Sequence, residues 1–538
     1  MAADHQDTTQ DTLSTDVLVV GAGPAGLMLA CELRLGGAEV LVLDQRPGPT
    51  TESRASTLHA RTMEILAARG LLAELGTPPC EPRGHFGGIG LDLTLPTSHP
   101  GQWKVPQQRT EELLQDRAIA LGADVRRRHQ LVALADGPDR VTAECLGPAG
   151  PVRITARFLV GCDGEDSTVR RLIGADFPGR DAERELLRAD VSGVDTPDRR
   201  FQRLANGLAI AATRGEITRV MVHEFGTPAR RRSGAPEFAE VVHAWQRVTG
   251  EDISHGVPLW INAFGDANRQ LAQYRHGRIL FAGDAAHQQM PSGGQALNLG
   301  VQDSFNLGWK LAAEVRGDAP EGLLDSYHAE RHAVGAKVLA NIRAQTHLLL
   351  GGPEIEPVRA VLGELIALEE VRTHLAGMIS GLSVRYDVRH DVRHDAGGSD
   401  GHPDDGHPLL GRRLPPAELI RTGGSGGHSP GDGEVTTGTP ELLTAGRGLL
   451  LDLGAGAEPA ARPWADRVDT VTARPAPGSP LRAGEALLVR PDGHVAWAGP
   501  ATDADGLRTA LRRWFGEPDR TQPRTPAAHH STETAAAR

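Results

Sequence analysis

The sequence predicts an α/β fold with a parallel sheet of the βαβ type, a β-rich insertion and a small α/β domain near the C-terminal end. Three observations predict it. A strand, a glycine-rich loop, a helix and a second strand follow one another near the N-terminus. Two later strand-like runs each lead into a turn of aspartate and glycine, and a separate group of strand-like runs follows residue 408. Strands that alternate with helical patterns are typical of parallel sheets.

The N-terminal unit begins with the apolar run 16–20, which indicates a buried strand. "GAGPAGL" follows, and "PAGLMLACELRLGG" has the pattern of a helix with proline in its first turn and glycine at its end. "AEVLVLDQR" predicts a second buried strand. In such a Rossmann-like unit the glycines let the backbone approach a pyrophosphate, and the acid at the end of the second strand binds a ribose. The predicted dinucleotide-binding residues are Gly21, Gly23, Pro24, Ala25, Gly26, Asp44, Gln45 and Arg46.

Two further strand-like runs end in turns of aspartate and glycine. "LVGCDGEDSTVR" places Asp163 and Gly164 directly after an apolar run, and "ILFAGDAAH" places Gly283 and Asp284 after another. The second turn leads through "HQQMPSGGQALN" into a helical pattern that covers about residues 295–350.

This order of motifs resembles the group A flavoprotein monooxygenases, which are built like para-hydroxybenzoate hydroxylase. The runs "STLHARTMEIL", "GCDGEDSTVRRL", "WINAFGDANRQ", "GGQALN" and "QDSFNLGWKL" resemble more narrowly the aromatic polyketide hydroxylases of actinomycete antibiotic pathways. That family includes angucyclinone oxygenases, anthracycline 11-hydroxylases and rifampicin monooxygenases. The resemblance covers about residues 15–517.

The resemblance implies one FAD, bound non-covalently, with its pyrophosphate and adenosine end at the first loop. At the second loop Asp284 would contact the ribityl side, Pro291 would lie near the reactive edge, and a helix N-terminus would stabilise the negative charge of reduced flavin. An arginine and a glutamine that lie near FAD in the family match Arg54 and Gln107. The residues implied at the second loop and its neighbours are Asp163, Gly164, Gly283, Asp284, Pro291, Gly293, Gly294, Gln295, Ala296, Leu297 and Asn298.

Ala296 departs from the family pattern, which usually has glycine at this position of the "GGQG" turn. A methyl group there would crowd or tilt the edge of the flavin. "HQQMP" also differs from the histidine- or proline-rich version that is more common in the family. Both differences lie where the flavin meets the substrate, so they bear on which atom is oxidised.

The implied activity is hydroxylation of a polycyclic aromatic polyketide by O₂ through a C4a-hydroperoxyflavin, with NADPH as a transient co-substrate that has no Rossmann domain of its own. His85 in "GHFGG" is the candidate catalytic acid or base, with a structural histidine as the alternative. Trp260 is expected in the core, with a place in the substrate wall as the alternative. Three other activities stay open: Baeyer–Villiger oxidation of the same substrates, inactivation of an antibiotic as in rifampicin monooxygenases, and a redox or binding role of bound FAD without oxygenation.

Composition limits the remaining possibilities. A net charge of −12 argues against a nucleic-acid partner. Four cysteines without a C-x-x-C pair, no signal peptide and no apolar run of about 20 residues favour a cytoplasmic protein outside the membrane, as monomer or homodimer. No metal is expected, because the histidines of the glycine- and aspartate-rich stretch lack a fold to fix their geometry; these are His390, His394, His402 and His407.

The predicted domain boundaries follow from composition and from the resemblance. Residues 408–517 contain no cysteine, so the thioredoxin-like domain that the resemblance implies there has no dithiol chemistry. The predicted parts are a disordered N-terminus 1–14, an FAD-binding domain 15–179 and 271–389, a β-rich substrate domain 180–270, a linker 390–407, the thioredoxin-like domain 408–517 and a disordered tail 518–538.

Overall fold

The computed structural model describes residues 12–52, 55–389, 406–421 and 435–518. The strands are β1 Thr12–Val20, β2 Val40–Asp44, β3 Leu58–His59, β4 Cys80–Glu81, β5 Arg83–Phe86, β6 Ile89–Asp92, β7 Gln102–Trp103, β8 Asp124–Arg127, β9 Gln130–Asp136, β10 Val141–Gly147, β11 Gly150–Gly161, β12 Gly179–Arg180, β13 Glu185–Ser192, β14 Arg199–Leu204, β15 Gly207–Arg214, β16 Ile217–Glu224, β17 Val257–Gly265, β18 Asn268–Gln270, β19 Arg275–His276, β20 Ile279–Phe281, β21 His287–Gln288, β22 Glu418–Arg421, β23 Thr436–Gly438, β24 Gly448–Asp452, β25 Val468–Pro475, β26 Ala486–Val489 and β27 Val495–Gly499. The α-helices are α1 Pro24–Leu35, α2 Ala60–Ala67, α3 Leu72–Leu75, α4 Gln107–Ala120, α5 Thr168–Leu172, α6 Phe238–Thr249, α7 Gln295–Arg316, α8 Asp325–Leu350, α9 Glu356–Ile366, α10 Glu369–Ser380, α11 Glu458–Ala461 and α12 Ala504–Phe515.

The main sheet has the strand order β19-β20-β11-β1-β2-β8, and its strands from β20 to β8 run parallel. The apolar residues of β1 and β2 are buried because helices cover the sheet, and α1 packs against both α4 and α7. The antiparallel strands β9 and β10 extend the sheet from β11. The predicted α/β class and the parallel sheet are therefore confirmed.

One predicted boundary is wrong, and one predicted helical stretch is divided into two elements. Strand β1 begins at Thr12, inside the segment expected to be disordered, because residues 12–14 pair with β11 from Arg153 onward. The predicted helical stretch 295–350 is two helices. Helix α7 ends at Arg316, and Gly317 after it adopts the left-handed conformation, with φ of 80°, that favours glycine at a helix end.

The middle region forms an antiparallel sheet of order β14-β15-β16-β13-β17. One face of this sheet packs on α6 through Trp245, which is fully buried. The other face turns toward α8 and toward Met290 of the second glycine-rich loop. A small sheet of order β12-β18-β21 connects the two regions, because β21 belongs to that same loop.

The C-terminal region forms a sheet of order β23-β22-β25-β24-β26-β27, in which β24 and β25 are parallel and the other pairs are antiparallel. Helix α12 packs on β26 and β27. The thioredoxin-like topology stays a prediction. Among the helices of the described ranges, none has the length and apolarity that crossing a membrane requires.

The C-terminal sheet docks on α7 and α8 through apolar and charged contacts. Trp309 of α7 packs beside Trp514 and Phe515 of α12, whose ring centroids are 6.5 and 6.4 Å away. Beside them, Glu330 accepts from Lys310 at 2.8 Å and from Nη2 of Arg490 at 2.9 Å, and all three side chains are buried. Burial raises the pKa of Glu330, but the cations Arg490 and Lys310 have the larger combined effect and lower this pKa to about 2.

We predict that Glu330→Gln lowers the midpoint of thermal unfolding by several degrees, because it removes the carboxylate that buried Lys310 contacts and leaves buried Arg490 with Asp492 as its carboxylate partner. Breaking a buried ion pair from one side typically costs about 3–5 kcal/mol. Calorimetry of the full chain measures the effect. The control is Glu458→Gln, which removes an exposed pair with Arg462 at 3.7 Å and is expected to leave the midpoint unchanged. Equal midpoints for both variants would contradict the prediction.

Candidate active site

A cleft of about 350 Å³ opens at the carboxyl ends of the parallel strands β1, β2 and β11. Ligands of open α/β sheets bind at this edge. Residues of both glycine-rich loops line it, although some 260 residues separate them in the sequence. The predicted site residues that line the cleft are Gly21, Gly23, Pro24, Ala25, Asp44, Gln45, Arg46, Gln107, Asp163, Gly164, Gly283, Asp284, Ala296 and Leu297.

The three glycines of the first loop have different roles. Gly21 has φ of +107°, and a Cβ there would lie 2.2 Å from the carbonyl oxygen of Cys162. A Cβ on Gly26 would lie 1.9 Å from the carbonyl oxygen of Gly21, so this glycine lets α1 pack closely on the loop rather than line the cleft. A Cβ on Gly23 would meet nothing within 4 Å. Gly23 therefore borders open space at the start of α1, where the first amides of a helix have no partner in the helix.

Asp44 lies at the end of β2 with its carboxylate fixed by the backbone. Its Oδ2 accepts from the amide of Ala22 at 2.8 Å, and its Oδ1 accepts from the amide of Arg46 at 2.8 Å. The guanidinium groups of Arg46 and Arg127 also lie within 3.5 Å. Each carboxylate oxygen can accept more than one hydrogen bond, so Asp44 can still receive a ribose hydroxyl from the cleft.

Asp163 contributes a buried oxygen without a protein partner. Its Oδ2 accepts from the amides of Thr168 and Val169 at 2.6 and 3.0 Å, whereas its buried Oδ1 has no hydrogen bond. Burial raises the pKa of Asp163. Buried polar atoms are usually hydrogen-bonded, so this oxygen at the cleft wall indicates a polar ligand.

The second loop is held by a buried carboxylate that the sequence analysis did not single out. Asp303 of α7 accepts from the amide of Gly283 at 3.1 Å, contacts Nε2 of His287 at 2.8 Å and pairs with Nε of Arg331 at 2.7 Å. Burial raises the pKa of Asp303, but Arg331 and His287 lower it below its ordinary value. The charge therefore stays on Asp303. The only signal in the sequence was the quoted run "QDSFNLGWKL", which does not show what Asp303 contacts.

The turn before α7 is also held by contacts between distant parts of the chain. Gly293 and Gly294 have φ of 64° and 70°, and Asn298 donates to the carbonyl oxygens of Gly294 at 2.7 Å and Thr57 at 3.0 Å. Thr57 was also missed, because only the fold brings it to the turn. Five predicted residues form or support this turn without lining the cleft: Pro291, Gly293, Gly294, Gln295 and Asn298.

The remaining candidates have mixed outcomes. Arg54 lies outside the described residues. Gln107 lines the cleft and donates to Glu111 at 2.9 Å, whereas its neighbour Gln108 bonds Glu112 on the exposed surface. Residues missed by the sequence analysis that line the same cleft include His129 and Gln130, where β8 gives way to β9.

His85 does not line the cleft. It lies in the β5–β6 hairpin, its ring centroid is 3.9 Å from that of Phe201, and its Nδ1 accepts from the amide of Gly88 at 3.2 Å. Burial, with smaller effects from His59 and Lys104, lowers the pKa of His85 to about 4. The neutral imidazole at pH 7 is a weak base, and the catalytic role of His85 stays a prediction.

These features fit a dinucleotide cofactor that carries a negative pyrophosphate. The N-termini of α1 and α7 meet at the cleft, where Gly283 packs against Ala25 and Gly300. Two helix N-termini present free amides and the positive ends of their dipoles. Together with the orphaned oxygen of Asp163 and the open space at Gly23, they define a nucleotide-cofactor protein with one bipartite cleft.

Comparison with known proteins gives the family. Residues 14–342 match the FAD binding domain family, and residues 407–518 match the aromatic-ring hydroxylase C-terminal family. The chain is 41% identical to the 12-dehydrotetracycline 5-monooxygenase/anhydrotetracycline 6-monooxygenase of Streptomyces rimosus, over 94% of this chain and 99% of the relative. It is 41% identical to the rifampicin monooxygenase of Streptomyces venezuelae, over 93% and 98%.

Two further matches have names that indicate different reactions. The dialkyldecalin synthase of Streptomyces rugosporus is 38% identical over 94% of this chain and 99% of the relative. The crystal structure of CabE, an aromatic hydroxylase from angucycline biosynthesis, is 48% identical with a TM-score of 0.84, over 94% of this chain and 100% of that chain. This chain belongs to the FAD-dependent aromatic polyketide hydroxylase family.

We predict that Gly23→Val leaves the folded apoprotein intact but lowers its affinity for FAD at least about tenfold, or about 1.4 kcal/mol. The added side chain enters the open space at the start of α1. Titration of apoprotein with FAD measures the affinity. The matched control is Gly26→Ala, whose methyl group would overlap the Gly21 carbonyl, so it is expected to lower the thermal midpoint itself. Unchanged FAD affinity in Gly23→Val would place the pyrophosphate elsewhere.

Proposed function

We propose that this protein is an NADPH- and O₂-dependent monooxygenase that hydroxylates a polycyclic aromatic polyketide, with FAD bound non-covalently in the bipartite cleft. The observation that carries the proposal is the meeting of α1 and α7 at one cleft whose second loop also packs on the middle sheet. The names of the 41%-identical relatives support oxygenation of large polycyclic compounds.

Each cleft residue has a proposed role toward FAD. The amides at the start of α1, next to Gly23, bind the pyrophosphate, and Asp44 binds the adenosine ribose. Asp284 binds the ribityl side, and the first turn of α7 faces the flavin ring. When bound there, FAD would supply the oxygen-transfer chemistry, with electrons from NADPH and the oxygen atom from O₂.

The substrate face is the side of the middle sheet that turns toward the second loop. Leu186 of β13 packs with Met290 of the loop, and Arg188 lies two residues further along the same face. The guanidinium carbon of Arg188 lies 4.4 Å from the ring centroid of Trp260 and 5.3 Å from that of Phe264. Trp260 is partly exposed on this face, so the expectation that it belongs to the core is wrong.

This face suits a flat aromatic substrate with an acidic phenol. Trp260 and Phe264 offer ring surfaces for stacking, and the cation of Arg188 favours an ionised phenol over a neutral one. An ionised phenol is the more electron-rich ring. The contribution of the protein is therefore to orient the ring, to exclude water and to stabilise the phenolate, while no described side chain on this face is assigned as a proton donor.

Three other outcomes remain candidates, two of which rest on observed relatives. Inactivation of an antibiotic is favoured by the rifampicin monooxygenase relative. A reaction without oxygen transfer is favoured by the dialkyldecalin synthase relative. Baeyer–Villiger oxidation of the same substrates differs from hydroxylation only in where the oxygen atom is inserted.

The deciding experiment incubates the FAD-loaded protein with NADPH and tetracyclic or angular aromatic polyketides under ¹⁸O₂. Hydroxylation and Baeyer–Villiger oxidation both add one ¹⁸O atom, but only a lactone gains a water molecule on mild alkaline hydrolysis. Product that forms without O₂ would favour the synthase-type reaction. A substrate panel without any oxygenated product, despite FAD binding, would contradict the proposal.

We predict that the purified protein is yellow and that acid precipitation releases its FAD. Asp284→Ala should weaken FAD binding by about one to two powers of ten, because a hydrogen bond from a ribityl hydroxyl to a carboxylate contributes about 1–3 kcal/mol. Titration of apoprotein measures it. The control is Asp181→Ala, whose carboxylate is exposed on the surface and should leave binding unchanged. Flavin retained on the precipitate would contradict non-covalent binding.

We predict that Trp260→Ala raises the KM for the polyketide by about tenfold and leaves FAD affinity unchanged, because it removes a stacking surface of about 0.5–1.5 kcal/mol beyond the buried area. Steady-state kinetics and FAD titration separate the two effects. Leu259→Ala, at the neighbouring bulge position of the same strand, is the matched control; Leu259 is 54% exposed. Equal KM values for the two variants would remove Trp260 from the substrate site.

A further inference from the structure

His59 is buried between the second cofactor loop and helix α10, outside the residues assigned so far. Its Nε2 lies 2.8 Å from the carbonyl oxygen of Gly293, and its Nδ1 lies 2.6 Å from the carbonyl oxygen of Ile379. Its amide donates to Oδ1 of Asn298 at 2.8 Å. Only 1% of the residue is exposed. The ring is thus fixed directly behind the turn proposed to border the flavin.

The two ring contacts require two donors. A carbonyl oxygen only accepts hydrogen bonds, and a neutral imidazole carries one N–H, so only the imidazolium satisfies Gly293 and Ile379 together. Burial lowers the pKa of His59 below its ordinary value of 6.5, while the two carbonyl contacts act to raise it. In the neutral state, a nitrogen lone pair must face one of the two carbonyl oxygens.

The titratable groups near His59 do not stabilise a positive charge on its ring. Lys104, in the loop after β7, lowers the pKa of His59. His85, in the β5–β6 hairpin, is a neighbouring titratable group whose pKa His59 lowers, and at neutral pH His85 carries no charge. A negative charge on the far side of the Gly293–Gly294 turn would stabilise a positively charged His59, which Lys104 and His85 do not.

We propose that His59 is a positioning residue that takes up one proton from solvent when the bound flavin is reduced, an inference that rests on the proposed function. Hydride transfer from NADPH gives NADP⁺ and leaves the reduced flavin with one negative charge. His59 then gains one proton and one positive charge, so the charges balance. Both ring N–H groups now donate, which holds the turn at Gly293 and α10 at Ile379 in the reduced state.

The proton uptake has a defined pH window. Below the pKa of His59 in the oxidised protein, which is under 6.5, the ring is already protonated and reduction adds no proton to it. Above that value the oxidised protein has a neutral His59. Between this pKa and the higher one in the reduced protein, two protons accompany two electrons instead of one. The pH slope of the flavin midpoint potential is therefore about twice as steep in this window.

The test measures the midpoint potential of the FAD-loaded protein from about pH 5.5 to 8.5 against reference dyes. Wild-type protein is expected to show the steep segment, and His59→Gln, which does not titrate, to show the single-proton slope throughout. His99→Gln is the matched control, because His99 is half-buried beside Trp103 and outside the cofactor loops. It should keep the wild-type profile. Lys104→Gln should move the steep segment to higher pH.

The outcomes separate the two proposals. Wild-type protein that binds no FAD overturns the proposed function, and the role of His59 with it. FAD binding with a single-proton slope across the whole range overturns the role of His59 alone, even if every His59 variant fails to fold. Equal profiles for the wild type, His59→Gln and the more conservative His59→Asn also overturn it.

Discussion

The buried carboxylate of Asp303 joins the parts of the chain on which the cofactor cleft depends. It lies on α7, accepts from the amide of Gly283 in the loop after β20, contacts His287 at the start of β21 and pairs with Arg331 on α8. An isolated buried charge is costly, and the cost is offset here only because all these partners are in place. The loop, α7 and α8 therefore hold one relative position, and the second half of the cleft is fixed by that position.

The same constraint explains why small residues meet where the two halves of the cleft touch. A Cβ on Gly300 would lie 3.0 Å from Cα of Gly283, and a Cβ on Gly283 would lie 3.0 Å from Cβ of Ala25. Helices α1 and α7 can bring their N-termini to one cleft because no larger side chain separates them. A bipartite cofactor bound as proposed would lie across two helix dipoles, whose relative position is set by packing and by the Asp303 contacts before any ligand binds.

The parts of this site that the sequence predicts are those made by neighbouring residues. Gly21, Gly23 and Asp44 belong to one βαβ unit, and their spacing in the sequence is enough to predict their roles. The left-handed turn at Gly293 and Gly294 is likewise predicted by neighbouring residues, because glycine readily adopts a positive φ. Asp303, by contrast, lies in a helical pattern where an acid is an ordinary surface residue, and only the packing of α7 and α8 shows that it is buried.

His59 and Trp260 show the same limit for single side chains. His59 is 234 residues from Gly293 in the sequence, so no pattern predicts their contact. Trp260 has the aromatic, strand-like context of a core residue, but β17 lies at an edge of the middle sheet and leaves it partly exposed. Periodicity predicts that a strand has two faces; which face is covered depends on the neighbouring domain.

The division between the two halves of the site bears on how one family contains both monooxygenases and a decalin synthase. The cofactor half is rigid because a buried ion pair, close helix packing and glycine turns fix it together. The middle-sheet face is built from side chains such as Arg188 and Trp260, whose replacement leaves the cofactor loops in place. Chemistry that the cofactor supplies can therefore be directed, or left unused, by changes confined to that face. A substrate ring bound on that face, as proposed, would approach the cofactor beside the second loop, whose Met290 packs on the middle sheet. The second loop joins the two halves in the described residues, because Met290 packs on the middle sheet while Asp303 holds Gly283. The proposed proton uptake by His59 at this loop would couple the substrate side to the redox state of the cofactor.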